Sequence, residues 1–317
     1  MSTIPIVFVF DKNIILAAYI AIQSLIDTAY NATNYNIHIF HDGIHKKYLK
    51  EFEKITNNTH HKLYTHLIER ERFKDAPKNK NGWTEMVYYR LLIPEILPQY
   101  DKVIYSDVDV LFKDDLSDLY NMDLENYELA ALSTSINIDS DENRAIGKIY
   151  FPENKNKYQY NSGILVFNSK KMREEKTVDK FFETIEQFKD RLKFFDQDVI
   201  NITCNRITQI DVRYNMFQPI YYNDDFTNTK EYHVLKSIYT KEELIKEKNS
   251  TKIIHYAGPK PWLAKNPPKE YEIYMKKVPK ALNYYSRHDS AVKFLNYHPI
   301  IAKLYRNYIK QFIQIKK

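Results

Sequence analysis

Two rhythms of apolar and polar residues alternate along the chain. Ile4-Pro-Ile-Val-Phe-Val-Phe10 is an unbroken apolar run of strand length, the pattern of a strand covered on both faces. Residues 13–29 then carry apolar side chains at helical spacing. Asn36-Ile-His-Ile-Phe-His41 returns to strand, and a polar helix is predicted over 44–57. Lys62–Ile68 reads as a third short strand. A helix follows near 84–96, stopped by Pro94 or Pro98, and Lys102-Val-Ile-Tyr105 reads as a fourth strand. Further strands are predicted at Glu128–Leu132, Gly163–Asn168, Ile207–Asp211 and Lys252–Tyr256. Such alternation of strand and helix predicts a parallel α/β sheet with helices on both faces. The stretch 221–250 is polar and charged and reads as an insertion or flexible loop. Past Pro267 the pattern becomes Tyr, Lys and aliphatic residues at helical spacing, so the core is expected to end near residue 266, with a helical extension over 267–317.

Composition narrows the class. Hydrophobic residues make up 44% of 317 positions, enough for a sizeable core. Only 5 residues are Gly, which argues against repeated Gly-rich phosphate loops, whereas 27 are Tyr, suited to surfaces needing a flat apolar face with a polar tip. The single cysteine, Cys204, excludes an internal disulfide framework and fits a reducing compartment. The opening Met-Ser-Thr-Ile-Pro has no basic region or cleavage site, and no stretch approaches the roughly 20 apolar residues of a spanning helix. A cytoplasmic protein is expected.

Charge is unevenly placed. The net charge is +6, but Lys276–Lys317 holds ten basic side chains against one acid, Asp289; the rest carries 37 basic and 40 acidic side chains. From Pro299, Ile301, Leu304, Tyr308, Phe312 and Ile315 recur at helical intervals with Lys303, Arg306 and Lys310 between them. A basic amphipathic helix of this kind lies on an anionic membrane leaflet or packs on the core with its charges solvated. The acidic core and the lack of any helix-turn-helix, zinc or RNA-motif signature argue against a nucleic-acid partner.

The most informative local feature is Tyr105-Ser-Asp-Val-Asp-Val-Leu-Phe112. Asp107 and Asp109 lie two apart directly after an apolar strand, and in extended backbone residues i and i+2 face the same way. Their carboxylates then meet at the carboxyl end of a parallel strand, where open α/β sheets bind ligands. Two like charges so close call for a cation, and a hard divalent ion can also neutralise a diphosphate on its other side. Asp-x-Asp alone is common in solvated turns. The acidic run Lys113–Asp118 that follows reads as a polar turn opening a helix.

Three further clusters carry chemistry. Ile253-Ile-His-Tyr-Ala-Gly-Pro-Lys-Pro-Trp262 ends a strand in a histidine and continues into a Gly/Pro loop. His255 can add a nitrogen ligand to an ion held by two aspartates, which favours Mn²⁺ over Mg²⁺, and Lys260 can pair with a phosphate oxygen. Taken alone, a histidine at a strand end is more often a packed core residue, as is Trp262. In Phe194-Phe-Asp-Gln-Asp198, Asp196 is placed to cap a helix whose first turn carries Gln197 and Asp198. In Tyr160-Asn-Ser-Gly-Ile164, a polar turn feeds an apolar strand.

In this order the clusters resemble glycosyltransferase family 8, the retaining enzymes that include bacterial lipopolysaccharide and lipooligosaccharide galactosyl- and glucosyltransferases and, more distantly, glycogenin. The resemblance runs from about Ile4 to Trp262. It implies a GT-A type, mostly parallel, Rossmann-like sheet for a nucleotide-sugar, and Mn²⁺, with Mg²⁺ as the second choice, held by Asp107, Asp109 and His255. It implies that Asp11 and Asn13, with Val9 beside them, grip the uridine, and that Arg90 of Tyr88-Tyr-Arg-Leu91 lies against the donor. Asn161, Ser162 and Gly163 would line the donor sugar. Asp196 would meet the sugar hydroxyls, and the Gln197 amide oxygen would support the anomeric centre. Val108 and Gly258 join the donor-binding set with Lys260. The loop from His255 to Lys260 is one residue shorter than in bacterial relatives, and Ser133-Thr-Ser-Ile136 lacks an aspartate that lactose-directed relatives use. The expected reaction is retaining transfer of galactose or glucose from UDP to a cell-surface glycan such as lipopolysaccharide. The alternatives are a surface glycoprotein acceptor, hydrolysis of the donor, and a non-catalytic sugar-nucleotide-binding module.

Overall fold

The computed structural model describes residues 2–78, 84–145, 147 and 150–282. Ten strands form two sheets: β1 (Ser2–Val9), β2 (Thr33–His41), β3 (Lys62–Leu67), β4 (Val103–Ser106), β5 (Val110–Phe112), β6 (Leu129–Ile136), β7 (Tyr158–Phe167), β8 (Ile207–Gln209), β9 (Met216–Phe217) and β10 (Ile253–His255). The large sheet runs β3-β2-β1-β4-β7-β6-β8 and the small one β5-β10-β9. In the large sheet only β7 opposes its neighbours, so the architecture is the expected α/β one with a mostly parallel sheet.

The unbroken apolar run of β1 is explained by cover on both faces. Ile4, Ile6 and Phe8 enter one core with the helices Ile15–Asp27 and Lys46–Thr56. Val7 and Val9 enter the other, with residues 86–97 and the helices Thr177–Phe188 and Asp196–Thr203. The helix Ile15–Asp27 is apolar almost all round because it is buried almost all round. Its Ser24 is fully buried, with its hydroxyl donating to Ala21 O and accepting from the Phe112 N–H. One polar side chain thus joins the helix to β5.

From β1 the chain steps outward to β2 and β3, then returns to β4 on the other side of β1. That reversal opens a crevice at the carboxyl ends of β1 and β4, the ligand position of open α/β sheets. Phe8 pairs with Ser106 there. Asp11 and Asp107 therefore leave the same edge of the sheet on neighbouring strands.

Several expectations change. Residues 221–250 are not a flexible insertion: Gln218–Tyr222, Lys230–Leu235 and Lys241–Asn249 are helices, anchored by buried Phe226, Leu235 and Leu244. Thr240 and Glu243 form a reciprocal capping box that the charged composition obscured. The segment near 84–96 is a 3-10 helix over Glu85–Leu92 and a short α-turn, Ile93–Ile96. Pro94 has no N–H to give the Arg90 carbonyl, and the Ile93 N–H takes that carbonyl with the tighter spacing. Asn161–Gly163 is not a turn but part of β7, at a bulge. Ala131 pairs with Leu165 and Leu132 with Asn161, so residues 162–164 are released from β6.

Past residue 267 the helix Lys269–Lys277 packs on Ile15–Asp27, with Tyr271 buried and Lys277 paired to Asp27. The helix expected from Pro299 lies outside the described residues. No helix among the described residues is long and apolar enough to cross a membrane.

Two histidines are held neutral by burial. His38, stacked on Tyr64 and beside His66, is pushed from 6.5 to about 3, first by burial and then by His66. His61 accepts the Tyr35 N–H through Nδ1 at 3.0 Å and is pushed to about 4, again mainly by burial. Unfolded, both take up protons below about pH 6.5; folded, they do so only near 3 to 4. Their contribution to stability is therefore complete above pH 6.5 and is lost as pH falls toward 4. The urea midpoint should drop between pH 7 and pH 5. His61→Asn, which keeps an acceptor for Tyr35 but cannot titrate, should make that drop smaller.

Candidate active site

β4 ends at Ser106, and the chain bends through Asp107–Asp109 before β5 begins at Val110. The two aspartates are therefore not aligned by extended backbone, as the i, i+2 argument assumed. Backbone ties place them instead. The Asp107 N–H donates to Gly163 O at 2.7 Å, and the Tyr256 N–H donates to Asp109 O at 2.8 Å. In the small sheet Val110 pairs with His255, which brings the imidazole to the bend.

His255 Nε2 lies 3.4 Å from Asp109 Oδ1 and 3.9 Å from Asp107 Oδ2. One ligand atom from each of the three residues falls within 4.8 Å of the others. Two carboxylates and an imidazole form the donor set of a divalent ion such as Mn²⁺. The far side of the ring is equally fixed, with Nδ1 2.7 Å from Asn215 Oδ1. Gly163 has a steric reason to be glycine. A Cβ there would sit 2.4 Å from His255 Cε1.

The cations sit on two sides. Lys260 pairs with Asp109 and donates to Tyr256 O at 2.8 Å, so the shorter loop still delivers it to the triad. Burial works to raise the Asp109 pKa, but Lys260 and His255 outweigh it and hold the carboxyl below its ordinary value. Arg90 is buried behind the site. Its Nη2 is 3.0 Å from Asp107 Oδ1, and its Nη1 is 3.2 Å from Asp196 Oδ2 and donates to Ser162 O at 2.8 Å. Its Nε donates to Val87 O, and the guanidinium lies 4.3 Å over the Tyr105 ring. Arg90 is thus turned toward protein groups, where it locks two carboxylates and the β7 bulge together. Tyr105 completes the arrangement by donating from its hydroxyl to Asp107 Oδ1 at 2.6 Å.

Asp196 does not cap its helix. It is the first residue of Asp196–Thr203, and the cap position before it is taken by Phe195, at φ 44° and with no capping side chain. Asp198 instead accepts the Lys193 and Phe194 N–H groups, each at 2.8 Å. Burial raises the Asp196 carboxyl to about 6 against the opposing pull of Arg90. The Gln197 amide oxygen accepts from Asn161 Nδ2 and the Ser162 N–H, both at 3.2 Å. It is committed to the bulge in this conformation rather than offered to an anomeric centre.

Asp11 caps the 3-10 turn Lys12–Ile14, and its two oxygens accept from the Asn13 N–H and Nδ2, each at 2.8 Å. With Asp42, Gly43, Arg70 and Thr84 they line a cavity of about 230 Å³. Val9 and Val108 are buried near this edge, and Gly258 is half-buried in the loop after β10. Trp262 packs, partly buried, against the core.

Residues 5–266 match the sequence profile of Glycosyl transferase family 8. The chain belongs to that family. It is 26% identical over 257 residues to the lipopolysaccharide 1,2-glucosyltransferase of Escherichia coli, covering 80% of this chain and 71% of that one. It is 25% identical over 258 residues to the lipopolysaccharide 1,3-galactosyltransferase of Salmonella typhimurium, with the same coverage of 80% and 71%. Among solved structures, the galactosyltransferase LgtC with donor and acceptor sugar analogs superposes with a TM-score of 0.70 at 23% identity, over 89% of this chain and 100% of that one. The fold is therefore the GT-A type, and the protein is a glycosyltransferase.

For this family 8 member the sequence reading located the acidic pair, the histidine, the lysine and the Asp-Gln pair. It missed Asn215 and Tyr105. Tyr105 was within sight, two residues before Asp107 in a strand. Asn215 had only one signal, a lone amide between Tyr214 and Met216 in a short apolar run.

Two substitutions test this architecture. Arg90→Met leaves Asp196 buried without a counter-charge, and a loss of about 3–5 kcal/mol in stability is expected from urea unfolding. Gly163→Ala forces the His255 ring aside. Mn²⁺ affinity, read from the free-ion EPR signal, should fall at least about tenfold while far-UV circular dichroism stays unchanged.

Proposed function

We propose that this glycosyltransferase moves a hexose, galactose or glucose, from UDP to a cell-surface glycan with retention of anomeric configuration. The observation that carries the reading is the convergence of Asp107, Asp109 and His255 at the end of β4. It lies on the same sheet edge as the Asp11 and Asn13 cavity. Those three side chains would hold Mn²⁺, or Mg²⁺ less well. When bound, such an ion would supply charge neutralisation for a departing diphosphate.

The chain's own groups do the rest. Asp11 and Asn13 would hold the uridine, and Asn161–Gly163 with Asp196 and Gln197 would flank the sugar. Lys260 would exchange its pairing with Asp109 for a phosphate oxygen and stabilise the charge that develops on UDP. The bond between the anomeric carbon and the phosphate oxygen breaks, and the acceptor oxygen bonds to that carbon on the same face. The acceptor's hydroxyl proton passes to the leaving phosphate oxygen. No covalent glycosyl-enzyme is invoked, because a neutral amide is a poor nucleophile.

A second cavity, of about 400 Å³, opens on the outer side of Lys260 between Gln218, Tyr222, Asn266 and Lys269. Its floor is largely apolar, with Pro259, Pro261, Ala264 and Pro268, and the polar groups stand around it, a surface on which the apolar face of a sugar ring could pack. Lipopolysaccharide is the favoured class, because the relatives named above act on it. The expected division is a catalytic unit over 1–266 and a basic region over 267–317; because Tyr271, Val278 and Leu282 are buried in the core, only the basic residues past 282 would meet the inner membrane leaflet and bring the enzyme to a lipid-linked acceptor in the cytoplasm. The family match ending at 266 and the cationic tail support that division.

The test is UDP release from a panel of UDP-hexoses with and without Mn²⁺ and lipopolysaccharide acceptors. Wild-type turnover should require the metal and one hexose. Asp109→Ala should retain less than about 1% of it, as expected for loss of a group that stabilises the leaving charge. Normal turnover by Asp109→Ala without added metal would overturn the assignment.

A further inference from the structure

Asn215 is fully buried and belongs to neither the acidic pair nor the sugar-lining bulge, yet it bridges them. Its Nδ2 donates to Asn161 Oδ1 at 2.9 Å, and its Oδ1 lies 2.7 Å from His255 Nδ1. The direction of this chain of bonds follows from groups that have no choice. The Gly163 N–H is a backbone donor, and it meets Asn161 Oδ1 at 3.0 Å, so that atom is the oxygen. The Ser162 N–H likewise fixes Gln197 Oε1 as an acceptor, which the Asn161 NH₂ then also serves. With Asn161 fixed, Asn215 must turn its NH₂ to Asn161 and its oxygen to His255. An oxygen facing Nδ1 at 2.7 Å requires a proton on Nδ1. In the neutral ring, the form that binds a metal, the lone pair is then on Nε2, the nitrogen that faces Asp107 and Asp109.

We propose that Asn215 is the positioning residue that selects the Nδ1–H tautomer of His255, so that the metal ligand is fixed by the same amide chain that holds Asn161 and Gln197. The proposal rests on the reading of Asp107, Asp109 and His255 as a metal site, and it adds what makes the third ligand competent. Outer partners of metal-bound histidines act in this way, orienting the ring and fixing which nitrogen is free. It also links the two halves of the site. A backbone donor in the β7 bulge sets the protonation of a side chain in the small sheet.

The chemistry predicts opposite outcomes for two substitutions. Asn215→Ala removes the acceptor for Nδ1–H and frees the ring to change tautomer. Asn215→Asp keeps that acceptor and strengthens it, but sets a carboxylate oxygen against Asn161 Oδ1, which then must reverse its amide and drop Gln197.

The test begins with metal-free protein labelled with ¹⁵N-histidine, in which long-range proton–nitrogen spectra report each tautomer and His255→Gln assigns the signal. Wild type should show His255 as Nδ1–H, and Asn215→Ala should lose that signature. Mn²⁺ affinity, measured by EPR, should fall about 10–100-fold in Asn215→Ala and should not fall in this way in Asn215→Asp, which keeps the acceptor. Turnover in Asn215→Asp should drop through kcat with KM for the donor little changed. A wild-type His255 in the Nε2–H form, or an Asn215→Ala protein that binds Mn²⁺ as wild type does, overturns the proposal. The wild-type spectrum does not depend on any variant folding. Because the tautomer is read without metal, a protein that shows the Nδ1–H form but binds no Mn²⁺ refutes the metal reading and leaves the role of Asn215 in selecting the tautomer supported.

Discussion

The antiparallel pairing of β5 with β10 is the contact on which the site depends. Three residue pairs, from Ile253 with Phe112 to His255 with Val110, join segments far apart in the chain. The Tyr256 N–H on Asp109 O extends the ladder to the second aspartate. Closing so long a loop carries an entropic cost that grows only slowly with length, and it is offset by apolar burial rather than by the site. Val110, Leu111, Phe112, Ile253 and Ile254 are all inaccessible or nearly so. The helix Ile15–Asp27 backs the small sheet and ties to it through Ser24 and Phe112. The acidic and imidazole groups are therefore held close by a core that does not need them.

Charge follows the same plan. Asp107, Asp109 and Asp196 bring three negative charges, and Arg90 and Lys260 bring two positive ones. Arg90 is fixed from behind, where Val87 O, Ser162 O and the Tyr105 ring surround it. Lys260 comes from the front on a Gly/Pro loop and is half-exposed. The rear cation sets the geometry of the carboxylates. The front one rides on a loop held by few buried groups.

The elements that could be read from sequence were those with a strong period or a strong local motif. The apolar runs of β1, β2 and β4 sit between two cores and show it residue by residue. Asp107, Asp109, His255 and Lys260 stood out because each follows an apolar strand. The bend that separates β4 from β5 left no periodic trace, since β5 is only Val110–Phe112. The small sheet is made of two- and three-residue strands whose existence depends on tertiary pairing. Region 221–250 misled because its helices are charged on the outside and hold on through single residues such as Leu235 and Leu244. Nothing in Tyr-Tyr-Arg-Leu says that the Arg90 guanidinium pairs with Asp107 and Asp196.

The start of the helix Asp196–Thr203 shows what the fold gives up to place a carboxylate. An aspartate at the ordinary N-cap position folds back on its own helix and accepts the free N–H groups there. Phe195 instead adopts φ 44°, a left-handed conformation that a bulky side chain resists by about 1–3 kcal/mol. That one residue moves Asp196 inside the helix and turns its carboxylate away from the first-turn amides toward Arg90. Asp198 takes over part of the work of a cap by binding the N–H groups of Lys193 and Phe194. Asp196 is left buried, bonded to Ser162, with its Oδ2 held near Arg90 by charge rather than by an aligned hydrogen bond. Strain at Phe195 and desolvation at Asp196 thus fall on consecutive residues, and neither serves stability. The return is an ion pair at the centre of the fold, in which Arg90 ties Asp196 to Asp107 and to the β7 bulge.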